Sequence, residues 1–174
     1  MPETLSPDAI VSSLNMTGVV GNIQDDPDSP DANWVVADST ANCQLAVSFG
    51  TPSNTLEGDQ EFRVLLRRIA PTGGNNPGAK LILQSAGVDA GTTASVSLAA
   101  ATTVFSHAWN VSDLSDPSGA TVGLAVRILR SGGSGANRRV ADVGAIEWNA
   151  SVAAAGGTYN AVPTILHNFR NMGN

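Results

Sequence analysis

The chain has 174 residues, of which 15 are acidic and nine basic, so its net charge is −6, and 42% of the residues are hydrophobic. This length suits one domain with one core, and the acidic balance argues against general nucleic-acid binding. No apolar run approaches the roughly 18 residues that a membrane span needs. The acidic start predicts no secretory signal, and the single Cys43 excludes an internal disulfide and a cysteine-rich metal site.

Short alternating segments, separated by turn residues, dominate the chain up to about Asn149. Strands are predicted in CQLAVSF, in QEFRVLLRRI, at 80–84, 93–98, 103–109 and 121–129, and in RRVADVGAIEWNA. The breaks between them read TGGNNPG, SAGVDAGT, SDLSDPSGA and SGGSGAN. Strands at this spacing predict an all-β fold, a single antiparallel β-sandwich or jelly roll.

The last predicted strand also predicts which residues share a face. Strict alternation assigns one side to Val140, Asp142, Gly144, Ile146 and Trp148, and the other to Val143, Ala145 and Glu147. Cys43, at the start of an earlier strand, is predicted to be a small buried or edge residue.

The composition changes after Asn149, where a tail rich in small residues begins. We therefore predict an N-terminal arm at 1–7, a β-sandwich body at 8–150 and an extended C-terminal arm at 151–174. Within the last arm, a short helix is predicted after Pro163. Such an arm gains little by folding on its own body and more by lying on a neighbour. The predicted partner-binding residues are Tyr159, Ile165, Leu166, Phe169 and Met172.

Charge is divided unevenly along the chain. Ten acidic residues and no Lys or Arg precede Arg63, whereas five acidic residues and all nine basic residues lie from Arg63 onward. Two interpretations follow. The halves neutralise each other within one sandwich, or the subunit is bipolar and docks its acidic side on a basic neighbour.

An acidic loop is the strongest local signal, with Asp25, Asp26, Asp28 and Asp31 inside seven residues. Ca²⁺ takes six to eight oxygen ligands from loops of this kind, and Glu147 in the last strand is a candidate distant ligand. The spacing is not that of an EF-hand. A solvated acidic turn is the alternative, because Asp before Pro is a common turn starter. No other cofactor is predicted.

Catalysis finds little support in the sequence, and we predict no catalytic residues and no enzyme. There is no GxSxG motif, and SGGSGAN lacks the phosphate-loop pattern and the helix that follows it. A glycosidase carboxylate pair, for example Glu61 and Glu147, stays open, but with 15 acidic residues some such pair is always available and nothing in the sequence points to one. The three tryptophans, Trp34, Trp109 and Trp148, form either a sugar-stacking platform or part of the core.

The body resembles a β-domain common among virion structural proteins of tailed bacteriophages. The resemblance rests on DDPDSPDANWVVA, on LAVSFGTPSNTLEGDQEFRVLLRR and on VADVGAIEWNA, and it covers most of residues 8–150. It implies a jelly-roll or galactose-binding-like sandwich on capsid surfaces or within tail and fibre proteins. It supplies no catalytic residues.

The resemblance implies a virion structural protein. Because the body stands without a long shaft or coiled coil, a capsid decoration (cement) protein is favoured over a fibre subunit. The expected partners are the major capsid protein or other virion proteins, in a homo-oligomer for which a trimer is the first guess. The chain would be made in the host cytoplasm and end on the capsid surface. The alternatives are a carbohydrate-binding or host-recognition module, a tail or fibre component, and, last, a hydrolase.

Overall fold

The computed structural model describes residues 2–38, 41–69, 75–116, 118–131 and 140–154, and these residues form β-strands with two short 3-10 turns, Val20–Asn22 and Val111–Asp113. The strands are β1 (Pro2–Leu5), β2 (Pro7–Leu14), β3 (Met16–Thr17), β4 (Val36–Ala37), β5 (Cys43–Phe49), β6 (Asp59–Ile69), β7 (Gly78–Ser85), β8 (Val88–Thr92), β9 (Val96–Ser97), β10 (Thr102–Asn110), β11 (Val122–Leu129) and β12 (Val140–Ser151). No helix in these segments is long and apolar enough to cross a membrane.

The strands build two antiparallel sheets that pack face to face. Sheet 1 has the order β1-β12-β6-β10, and sheet 2 has the order β2-β5-β11-β7-β8, with β9 also paired to β7. β3 and β4 form a separate small hairpin. The chain crosses from one sheet to the other between β1 and β2, β5 and β6, β6 and β7, β9 and β10, β10 and β11, and β11 and β12. The predicted all-β antiparallel sandwich is confirmed.

A cluster of aromatic rings joins the inner faces of the two sheets. Phe62 on β6 stacks on Trp148 of β12, with ring centroids 5.5 Å apart and planes 9° apart. Phe49, from sheet 2, contacts both rings, at 5.7 Å and 5.6 Å. Each of these rings is at most 3% exposed, so burial of this cluster is a main source of the stability of the sandwich.

Alternation along the chain located most of the long strands. β5, β6, β7, β10, β11 and β12 form where they were predicted, and Cys43 is buried as expected. The predicted strand at 93–98 is reduced to β9, and β8 forms inside SAGVDAGT, which had been assigned to a turn. The turn there needs only Ala86 and Gly87, both at positive φ (52° and 76°), so the following residues are free to pair.

The segment predicted as an N-terminal arm, 1–7, pairs with strands of the body from Pro2 onward. Pro2 to Leu5 pair with β12, so that Pro2 lies opposite Ser151 and Leu5 opposite Trp148. The carboxylate of Glu3 accepts a hydrogen bond from the Ser53 N–H at 2.8 Å. This segment folds onto the body because β12 otherwise exposes an unpaired edge over the core.

The predicted C-terminal arm at 151–174 is only partly described. β12 runs to Ser151, and the description ends at residue 154. The predicted helix and the five predicted partner-binding residues therefore lie outside the described residues.

A β-bulge at Gly144 corrects the predicted faces of β12. Val143 lies opposite Leu66 and Ala145 opposite Leu65, so Gly144 is the extra residue. The shift places Val143 on the inner face with Ile146 and Trp148, although strict alternation had separated them. Asp142, which had been assigned to the same face as Trp148, lies on the outer face, where it pairs with Arg67.

Candidate functional site

The acidic loop, residues 24–35, crosses the outer face of sheet 1, which is the face turned away from sheet 2. It contacts that face through the ion pair of Asp28 with Arg63 on β6. It also does so through the ring of Trp34, which lies against Arg67 of β6 and Gly144 of β12. At the end of the loop, the backbone of Val35 pairs with that of Val143. The Asn22 side chain donates to the Trp34 carbonyl at 3.1 Å and so helps to hold the end of the loop. Sequence and register thus bring the most acidic stretch of the chain over two arginines of β6.

The first ion network centres on Arg63. Its Nη2 lies 2.8 Å from both carboxylate oxygens of Asp28, and its Nη1 lies 3.2 Å from Oε1 of Glu147. The Glu147 side chain is only 10% exposed, whereas that of Asp28 is 65% exposed. The hydrogen bond with Asp28, followed by that with Glu147, raises the pKa of Arg63 against the opposing effect of burial. Arg63 therefore links an exposed loop carboxylate to a buried strand carboxylate.

The second ion network centres on Arg67 and lies further along the same face. Nη2 of Arg67 lies 2.8 Å from Oδ2 of Asp142, whose side chain is buried. The other oxygen of Asp142 accepts the Ala37 N–H at 3.0 Å. The guanidinium carbon of Arg67 lies 4.2 Å from the centroid of the Trp34 ring, a cation–π distance. The chain on both sides of the acidic loop is therefore tied to sheet 1.

Trp34 also requires the glycine at the bulge. A Cβ atom added to Gly144 would lie 2.5 Å from Cζ3 of Trp34 and within 2.8 Å of two more ring atoms. Because real Cβ contacts are not this short, only glycine lets the ring lie on β12. The bulge in β12 and the position of the loop are thus parts of one arrangement.

The remaining loop carboxylates hold the backbone of the loop itself. Asp26 accepts the Asp28 N–H at 2.8 Å, and Asp25 accepts the Asp31 N–H at 3.1 Å. Asp31 accepts the Asn33 N–H at 2.6 Å and also contacts the Asn33 side-chain amide, and the backbone hydrogen bond is the main cause that lowers the pKa of Asp31. The hydrogen bonds of Asp26 and Asp31 are those of Asx-type turns, whereas that of Asp25 closes a wider loop across six positions.

The expected calcium ligands do not converge in the described part of the chain. No group of three His, Cys, Asp or Glu side chains there is placed to hold a metal ion. Of the five candidates, Asp28 and Glu147 do meet, but through the guanidinium of Arg63. The charge of the loop is thus partly balanced by an arginine from the other half of the chain, as the neutralisation hypothesis predicted.

A cleft of about 350 Å³ separates the acidic loop from the edge of sheet 1. The loop lines it with Pro27, Asp28, Pro30 and Trp34, and the sheet lines it with Leu65, Thr102, Thr103 and Val104. We call it the outer cleft. It combines apolar ring surfaces with hydroxyl groups and one carboxylate, so it could accept a small polar ligand that has an apolar face.

The three tryptophans do not form one platform. Trp148 is fully buried, and Trp109 is 7% exposed and packs edge-on against Phe62 at 5.6 Å. Trp34, which is half-buried, lines the outer cleft. Core filling therefore accounts for two of the three residues that had been proposed for sugar stacking.

The carboxylate pair considered for glycosidase chemistry is engaged in hydrogen bonds. Glu147 is buried and ion-paired to Arg63, and Glu61 accepts a hydrogen bond from Asn149 at 3.3 Å. Arg63, Arg67 and Asp142 were not singled out in the sequence. The available signal was their alternation with apolar residues, which put the two arginines on the outer face of β6.

Comparisons with known proteins give little further. No protein-family model matches the chain, and no curated protein matches it. Among solved structures, it is similar to the enzymatically active domain of tailspike protein 4 of bacteriophage CBA120, with 9% identity and a TM-score of 0.39. The match covers 86% of this chain but only 19% of the other. A likeness at this level carries no argument about function.

Proposed function

We propose that the chain is a virion structural protein of a tailed phage that acts without catalysis, most specifically a decoration (cement) protein on the capsid surface. In this proposal the sandwich is a rigid block and the C-terminal segment binds neighbouring virion proteins, the major capsid protein first among them. The observation that carries the proposal is that residues 151–153, directly before the C-terminal segment, are hydrogen-bonded to the body.

The departure point is held by a series of backbone hydrogen bonds. The Glu57 N–H donates to the Ser151 carbonyl at 2.9 Å, and the Ala153 N–H donates to the Thr55 carbonyl at 2.8 Å. Between them Val152 is buried and bridges to Leu56. The chain is therefore anchored to the body through residue 153, a few residues after its composition changes at Asn149.

Residues 155–174 have the composition of a binding segment. They carry two aromatic and three other apolar candidates for burial, Tyr159, Ile165, Leu166, Phe169 and Met172. Fully extended, 20 residues reach about 66 Å, which is enough to cross a neighbouring subunit. Burying several hundred Å² at about 25 cal/mol per Å² would contribute several kcal/mol per subunit before ordering costs. Repeated over a shell, this contribution would resist internal pressure.

Truncation tests the proposal while sparing the anchor. A variant that ends at Ala154 keeps every contact described for Val152 and Ala153, so we expect the wild-type thermal melt. We expect it to lose co-sedimentation with particles of the phage that encodes the chain. The control replaces Ile165, Leu166 and Phe169 with Ser in the full-length chain, which should also abolish binding. Binding of both variants at the wild-type level would contradict the proposal.

The outer cleft supports a second candidate function, saccharide binding for host recognition. The specific observation is that Trp34, two prolines, Thr102 and Thr103 line the same cleft, and sugars bind such mixtures of aromatic and polar groups. A glycan array should then show saturable binding that both Trp34→Ala and Thr102→Ala reduce. Because Thr102 is exposed, its substitution leaves the loop anchored, and a wild-type melt would verify this. Binding to no glycan would exclude the candidate.

A further inference from the structure

Among the described residues the two sheets have four edges, formed by β1, by β10, by β2 and by β8 together with the two-residue β9. Three of these edges carry features that discourage pairing with another chain. β1 has only four residues and includes Pro2 and Glu3. β2 contains Pro7 and Asp8 and has two register shifts along β5. β8 has five residues, includes Asp89 and also has a register shift. Short length, proline, charge and bulges are the usual protections of exposed edges.

The fourth edge, β10, has none of these protections. It has nine residues, TTVFSHAWN, without proline and without Lys, Arg, Asp or Glu. Its register with β6 is regular from Thr102 to Asn110. On its other side it pairs with no strand among residues 2–154 that the structure describes. Val104 on this strand is 39% exposed. A long, regular and uncharged edge is a ready template for a further strand.

We propose that β10 pairs antiparallel with β10 of a second copy of this chain, about a two-fold axis at Ser106. Full overlap of the two nine-residue strands places Ser106 opposite Ser106 of the partner subunit. The same register places Phe105 opposite His107 of the partner subunit, and Val104 opposite Ala108 of the partner subunit. The two four-stranded sheets 1 then become one eight-stranded sheet.

A second copy fits this edge for two reasons. Each chain carries a net charge of −6, which disfavours contact between acidic surfaces of two copies, whereas β10 itself has no Lys, Arg, Asp or Glu. Among the carboxylates described near this edge is that of Asp28, which faces the first residues of β10 across the outer cleft. An isologous pair also uses both β10 edges completely and leaves no free β10, so the assembly closes at a dimer. This outcome differs from the trimer guessed from the sequence, and it does not depend on the proposed capsid function.

Charge placed at Ser106 tests both the interface and its symmetry. Ser106 is exposed, so Ser106→Glu and Ser106→Lys should each fold, although the lysine lies opposite Arg63 of its own sheet and lowers the stability of the monomer by up to about 1 kcal/mol. In the dimer, either substitution puts like charges opposite one another, and we expect the dissociation constant to rise about tenfold or more. Mixing the two variants in equal amounts should restore dimers, because unlike charges then face each other. The measurement is sedimentation velocity, with circular dichroism to confirm folding.

The matched controls are Ala90→Glu and Ala90→Lys on β8, an exposed position on a different edge; they should dimerise like wild type. A wild-type chain that is monomeric at about 100 μM, a concentration at which weak specific dimers form, would overturn the proposal. The proposal would also be overturned if either Ser106 variant dimerised like wild type or if the equal mixture of the two Ser106 variants stayed monomeric. A wild-type trimer would overturn it as well. Loss of the dimer on removing residues 155–174 would assign the contact to that segment and would also overturn it.

Discussion

Replacing Arg63 with Met should destabilise the sandwich far more than removing its exposed partner. Arg63 is 21% exposed and holds Glu147, which is 10% exposed, together with Asp28, which is 65% exposed. Arg63→Met leaves the buried carboxylate without its cation, which costs about 3 kcal/mol. Asp28→Asn removes only a solvent-exposed ion pair, which costs about 0.5 kcal/mol. Two substitutions in one ion network are thus expected to differ about sixfold in their cost to the free energy of unfolding.

A double-mutant cycle measured by urea unfolding separates the contributions. With a slope of about 2 kcal/mol per M, Arg63→Met should lower the midpoint by about 1.5 M. Adding Glu147→Gln to Arg63→Met removes the unpaired charge, so the double variant should be more stable than Arg63→Met alone, with a coupling energy of about 2 kcal/mol. All measurements are made at pH 7.

The control for this cycle is Arg127→Met on the outer face of sheet 2. Arg127 is exposed, and its Nε donates to Gln44 Oε1 at 2.9 Å. Its loss should change the stability by no more than about 0.5 kcal/mol. Equal costs for Arg63→Met and Arg127→Met, or strictly additive effects of Arg63→Met and Glu147→Gln, would refute the argument that burial of Glu147 sets the magnitude.

Three further outcomes follow from the structure. Gly144→Ala should push the Trp34 ring off β12, shift the tryptophan fluorescence and cost about 1–3 kcal/mol by overpacking; an unchanged spectrum and unfolding midpoint would argue against this contact. Burial raises the pKa of the Cys43 thiol, so a thiol reagent at pH 8 should react only as fast as the protein unfolds, and immediate labelling of the native chain would contradict its placement. The lowered pKa of Asp31 contributes stability above the ordinary carboxyl pKa that is lost as the pH falls below about 4; melts of wild type and Asp31→Asn should converge at low pH, and a constant gap would refute it.

The alternation of apolar and polar residues was enough to locate most of the long strands, but it missed two edge strands and misassigned the faces of β12. β5 and β6 alternate regularly, and each forms within a few residues of its predicted bounds. β1 and β2 were missed because both are edge strands and mostly polar or exposed. β1 alternates over only four residues, and β2 has no two-residue periodicity. The faces of β12 were misassigned because one inserted residue, Gly144, reverses the alternation.

The candidate site was predicted in its parts but not in its assembly. Asp28, Trp34 and Glu147 were all singled out, as metal or sugar ligands. Their common partners, Arg63 and Arg67, were not, because the meeting of a loop carboxylate with a strand arginine depends on register between segments far apart in the chain. Asp28 and Arg63 are 35 residues apart, and Arg63 and Glu147 are 84 apart. Alternation carries no information at such separations.

The pairing of β1 with β12 has a consequence for biosynthesis. Thr4 and Asn149, whose side chains are hydrogen-bonded, are separated by 145 positions. During translation, the first of these strands therefore waits for nearly all of the intervening chain to emerge before its partner exists. Folds that depend on such distant pairings acquire their structure slowly, in milliseconds to seconds. Until β12 is complete, Phe62 lacks the ring on which it stacks, and the half-made protein presents its apolar interior to chaperones.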